Sequence, residues 1–122
     1  MKIAITSTGE GIQSKVDRSF GRAKWFVTFD TETKTVEAHS NDQNIHASHG
    51  AGIQAAQNVA HLGVEALLTG NVGPNAFRTL QAASIEIFLL DATVETVEDA
   101  LARWEAGDLP GIGAPTREGH WV

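Results

Sequence analysis

The stretch AGIQAAQNVAHLGVEALLTGNVGPNAF, residues 51–77, decides the fold. Apolar residues recur every third place at Ile53, Ala56, Val59 and Leu62, and Ala60 thickens the stripe, which is the signature of one helix face. Gly63 ends that pattern. Val64 to Thr69 is then compact and apolar, as a buried strand would be. Gly70-Asn71-Val72-Gly73 leads to Pro74, and proline suits the first position of a helix, where its missing N–H has no partner to lose. Helix, strand and helix in close succession imply crossover connections, and hence a parallel sheet with helices on its faces.

The same reading extends in both directions. Downstream, Phe77, Leu80 and Ala83 give the second helix its stripe, and Ile85–Leu90 reads as another buried strand. Thr93 is expected to cap a last helix with Val94, Val97, Leu101 and Trp104 facing the core, closed by Gly107. The tail, residues 108–122, holds Pro110, Pro115 and three glycines and is expected to be irregular. Upstream, residues 2–7 read as a short buried strand and residues 8–22 as a loop. Residues 23–30, with their aromatic and β-branched side chains, read as a second strand. A turn at Asp30-Thr31-Glu32-Thr33 returns the chain as a third strand to Ser40, so these two form an antiparallel hairpin. The order β-β-β-α-β-α-β-α predicts an α/β domain with a five-stranded mixed sheet. If the second strand is the antiparallel one, strands one, three and four end on one edge, where open α/β sheets bind ligands.

Composition narrows the function. The 122 residues suit one domain, and 42% hydrophobic content supplies its core. Cysteine is absent, which excludes disulfides, thiolate metal ligands, a cysteine nucleophile and a CxxC redox pair. The first apolar run is too short for a signal peptide, and no run approaches a membrane span, so a cytoplasmic protein with no membrane association is expected. The net charge of −6 argues against nucleic-acid binding. Within that acidic chain, residues 15–24 carry Lys15, Arg18, Arg22 and Lys24 against Asp17 alone, a local +3 that leaves −9 elsewhere. Such a patch favours a small anion.

Three loops are expected at the ligand-binding edge: Ser7-Thr8-Gly9-Glu10-Gly11, residues 46–52, and Gly70–Asn75. Two of them open helices with small residues, and helix N-termini attract anions through exposed N–H groups and the helix dipole. His46 and His49 are the one close histidine pair and the candidate metal contacts, because imidazole binds zinc, copper and iron. A closed zinc site would need about four ligands, and no cysteine is available to complete it. Catalytic signatures are missing. There is no Walker, GxSxG or HExxH pattern, and Ile3, Ala4 and Ile5 occupy the strand positions where a two-metal nuclease needs a carboxylate.

Read together, these segments resemble the dinitrogenase iron–molybdenum cofactor-binding family, which takes in NifX-like carriers and the orange proteins that hold a molybdenum–copper sulfide cluster. The likeness runs over about residues 1–107, taken as the domain, with 108–122 as its tail. It rests on Met1-Lys2-Ile3-Ala4-Ile5, on Ser19-Phe20-Gly21-Arg22-Ala23 (serine standing where the family often has histidine), on Gly50-Ala51-Gly52-Ile53 and on Gly63-Val64. Its most specific part is Gly70-Asn71-Val72-Gly73-Pro74-Asn75-Ala76-Phe77. The resemblance implies a ribonuclease H-like three-layer fold and a carrier, not an enzyme, for an anionic molybdenum-containing metal–sulfur cluster (Mo–Cu–S or Fe–Mo–S). It also implies protein partners in cofactor assembly. Matched positions are Phe20, Gly21, Arg22, His49, Gly50, Asn71 and Asn75; the loop reading adds Ser7, Gly9 and Lys15 as cofactor contacts and His46 beside His49 as metal contacts. An inorganic cluster brings its own sulfide, so the lack of cysteine is no obstacle. The alternative is a metal-free binding or regulatory module for a phosphate-bearing small molecule or a protein partner, using the same loops.

Overall fold

The computed structural model describes residues 1–42 and 51–113. Its strands are β1 (Lys2–Ser7), β2 (Trp25–Asp30), β3 (Val36–Ser40), β4 (Ala66–Thr69) and β5 (Glu86–Leu89); its helices are α1 (Ala51–His61), α2 (Pro74–Ala82) and α3 (Val97–Glu105). One five-stranded sheet runs in the order β3-β2-β1-β4-β5. β2 is antiparallel to both neighbours, while β1, β4 and β5 are parallel, so the α/β class and the mixed sheet are as the sequence predicts. Four strands therefore end on the same edge.

Alternation along the strands builds two cores. Ala4, Phe26, Leu67 and Ile87 face α1 and α2, where they meet Ala55, Ala56, Val59, Phe77 and Leu80. Ile3, Ile5, Val27 and Leu68 face the other way and meet Val97, Ala100 and Leu101 of α3. Each large side chain so buried contributes about 1.5–3 kcal/mol by removal from water. The result is three layers, helices on both sides of a sheet whose central strands are buried on both faces.

Element boundaries shift where local hydrogen bonds compete with periodicity. The last helix does not begin at Thr93. Asp91 Oδ1 accepts from the Thr93 amide at 2.8 Å and from its hydroxyl, holding a tight turn. The cap is Thr96, which accepts from the Asp99 amide at 3.1 Å while Asp99 accepts from the Thr96 amide at 3.2 Å. Val94 is buried but lies outside the helix. On α1 the buried face is Ala51, Ala55, Ala56 and Val59, following the 3.6-residue turn, and Ile53 stays half-buried. Residues just past α3 belong to the packing: Leu109 is buried, the β5 residue Leu89 donates to Pro110 O at 2.9 Å, and the Ile112 amide donates to Ile87 O at 3.0 Å.

Candidate functional site

Two connections meet at the sheet's carboxyl edge and are bonded to each other through their backbones. After β1 the chain loops out and returns, with the Asp17 amide donating to Thr6 O at 2.9 Å. It then runs beside the β4–α2 connection. Asn71 N–H donates to Arg18 O, and Phe20 N–H to Asn71 O at 3.2 Å. Gly70 permits that approach: a Cβ there would lie 2.5 Å from Arg18 O and 2.7 Å from Arg18 Cβ. Phe20 is buried and its ring sits 5.7 Å from that of Phe26, which pins the following residues to the sheet end. Gly21 abuts the start of α1, where a Cβ would stand 3.1 Å from Gly52 Cα. Buried Asn41 locks this loop from beneath, its side-chain amide donating to Ala23 O at 2.8 Å and Gly21 O at 3.3 Å.

These contacts enclose a cavity of about 230 Å³ between the 19–22 loop, the start of α1 and the start of α2. Ser19, Phe20, Gly21 and Arg22 form one wall; Ala51 and Gly52 form the second; Asn71, Gly73 and Ala76 form the third. Neither α1 nor α2 has an acidic residue in its first turn, and among the described residues no carboxylate lines the cavity. Gly73 caps α2 without a side-chain acceptor, so the first amides of that helix are not claimed by a capping side chain. With Arg22 alongside, the electrostatics favour an anion. A bare metal ion has less to bind: among the described residues no three histidine or carboxylate groups cluster. The described donor set therefore favours an anion over a bare cation.

The sequence-derived candidates divide. Phe20, Gly21, Arg22 and Asn71 line this cavity. Lys15 lines a different one, also about 230 Å³, with Arg18, Val94 and Glu95 on the other side of the 16–19 segment. Ser7 is buried, its hydroxyl donating to Gly9 O at 2.7 Å and accepting from the Gly9 amide at 3.2 Å. Asn75 is exposed beside the cavity and accepts from Arg78. His46, His49 and Gly50 lie outside the described residues. Ser19, Ala51, Gly52, Gly73 and Ala76 were missed as individual contacts; Ser19 sits in the connection between β1 and β2, and the other four are small residues at the starts of the two helices.

Residues 1–107 match the profile of the dinitrogenase iron-molybdenum cofactor family. The apo form of the orange protein from Desulfovibrio gigas is 43% identical, with a TM-score of 0.90 over 95% of this chain and 96% of that one. A Thermotoga protein provisionally assigned as NifB is 37% identical, with a TM-score of 0.83 over 97% of this chain and 98% of its own. An uncharacterised protein of Methanocaldococcus jannaschii is 25% identical over 95 residues, which cover 76% of this chain and 77% of the relative.

Proposed function

We propose, since the chain belongs to the dinitrogenase iron-molybdenum cofactor family, that it is a non-catalytic carrier that holds an anionic molybdenum-containing metal–sulfur cluster, of Mo–Cu–S or Fe–Mo–S type, for storage or delivery during cofactor assembly. The observation that carries this reading is the convergence of Arg22 and two helix starts on one cavity that no described carboxylate lines. Arg22 supplies positive charge, and the amides opening α1 and α2 donate hydrogen bonds to the cluster's sulfides. Asn71 adds a side-chain donor on the exposed rim. His46 and His49 precede α1 in sequence and are the candidates for direct metal contact. The likeness to an orange protein favours this cargo class, and a cysteine-free chain agrees with a cluster whose sulfur is inorganic.

The test is anaerobic loading of the apoprotein with tetrathiomolybdate, with and without copper(I), followed by desalting, visible spectroscopy and metal analysis. Retained molybdenum with new charge-transfer bands is expected. Arg22→Glu is expected to lower uptake at least about tenfold by placing a carboxylate against the anion. Retention of no metal by the wild type, together with stabilisation by nucleotides, would replace this reading with the metal-free binding module.

A further inference from the structure

The hydrogen-bond phase of the β2–β3 hairpin leaves one sheet edge open. The Asp30 amide donates to Thr35 O at 3.0 Å and the Asn41 amide to Lys24 O at 2.9 Å. Antiparallel pairs alternate between bonded and non-bonded, so Glu37 and His39 also bond toward β2. Val36, Ala38 and Ser40 then direct their N–H and C=O groups outward, and among the described residues no strand or side chain meets those groups. Natural edges are usually blunted by proline, bulges or inward charges. β3 is short and carries Glu37, but it holds no proline and pairs with β2 in unbroken register without a bulge, and Val36 keeps 40% of its surface exposed. On that same face Phe29 and Ala38 are partly buried against the core under α3, so Val36 continues an apolar strip to the rim.

The residues between the outward-facing ones select the partner. In an antiparallel pairing of β3 with a second copy of itself about Ala38, Ala38 bonds Ala38 and each Val36 bonds the other copy's Ser40. Glu37 then stands opposite His39 of the second copy, twice, in the non-bonded pairs where Cα atoms approach to about 4.5 Å and side chains are closest. Centring the pair on Glu37 would instead oppose two carboxylates. We propose that β3 is a homodimerisation edge, joining two copies into a continuous ten-stranded sheet with register fixed by the Glu37–His39 pairs. The two-fold axis at Ala38 points the two cluster cavities in opposite directions, so both stay accessible.

Sedimentation velocity of the full chain between about 1 and 300 µM tests this, because a short-edge interface of this size predicts a dissociation constant on the order of 10–100 µM. A monomer at every concentration would overturn the proposal. Ala38→Pro removes an outward N–H without touching a bond to β2, and is expected to abolish the dimer while circular dichroism stays native. Should that variant misfold, the charge variants decide. Glu37→Lys is expected to weaken association about tenfold, and Glu37→Lys combined with His39→Glu to restore it to within about threefold. A dimer indifferent to both charge variants, or a complex with a different protein at this edge, would also overturn it.

Discussion

The basic segment 15–24 looks uniform in sequence, yet its two arginines stand in different surroundings. In the first half, the Arg18 guanidinium donates to Asp91 O at 2.7 Å and to Val94 O, tying the 91–94 turn to the sheet edge. Its charge is engaged in holding two main-chain carbonyls. In the second half, Arg22 is exposed and lines the cavity at the helix starts. Four positions apart in sequence, one arginine ties down the 91–94 turn and the other borders the cavity. Charge counting finds the patch but cannot assign the roles, because these depend on which side of the 16–19 segment each side chain leaves.

The most severe way to break that division is at the seam that separates the halves. Gly70→Ala would drive a Cβ into Arg18 backbone and Cβ atoms that have no freedom to retreat. A loss of about 3 kcal/mol or more in urea unfolding is expected, with cluster uptake lost as the 19–22 wall shifts. Full retention of stability would show that the two connections are not held as described. Arg18→Met keeps the aliphatic stem and removes the donors. Charged hydrogen bonds contribute about 1.5–3 kcal/mol each when buried, and these are partly exposed, so about 2 kcal/mol in total is expected. Cluster uptake per folded molecule should stay within about twofold. Arg22→Glu should give the inverse pattern, impaired uptake with stability changed by less than about 1 kcal/mol. If both variants lost uptake equally, the halves would share one electrostatic role and the distinction would fail.

Most of the architecture was legible in advance because periodicity and turn chemistry agree. The alternation from Ala51 to Phe77 gave α1, β4 and α2, and Gly63 and Gly107 both adopt positive φ where they end helices. The start of α3 was misplaced by three residues because Thr93 is a good capping residue in isolation. Asp91, two positions earlier, captures its amide and hydroxyl, and the Thr96-x-x-Asp99 capping box wins. The site was half legible. The helix-opening loops were visible as glycine-rich segments, but the seam at Gly70 and the lock made by Asn41 join residues far apart in sequence. Ser7 and Gly9 are read as ligand donors because small polar residues follow a strand; the bonds between the Ser7 hydroxyl and the Gly9 main chain are a local turn that the sequence pattern does not show.

The smallest expected effect sharpens the structural half of the comparison through pH. Asp91 lies in the turn that Arg18 holds, and its carboxylate accepts from the Thr93 hydroxyl and amide and faces Arg103 at 3.4 Å. The Thr93 hydroxyl bond, then the Thr93 amide, and then the positive Arg103 keep the Asp91 carboxyl below its ordinary range. A depressed native pKa means the unfolded chain takes up the proton first. Its contribution to stability is therefore complete above about pH 4 and is lost as pH falls through the lower native value. Asp91→Asn removes that charge. The variant should be slightly less stable than wild type at pH 6, and the gap should narrow as pH falls below about 4. Because the group is exposed and the Arg103 pair is screened by solvent, the gap should also shrink in high salt. A gap that stayed constant from pH 6 to pH 2 would assign the effect of Asp91 to turn geometry that asparagine fails to reproduce. In that case the Thr93 hydrogen bonds to Asp91, together with Arg18, and not the turn's charge, would hold the 91–94 segment against the sheet.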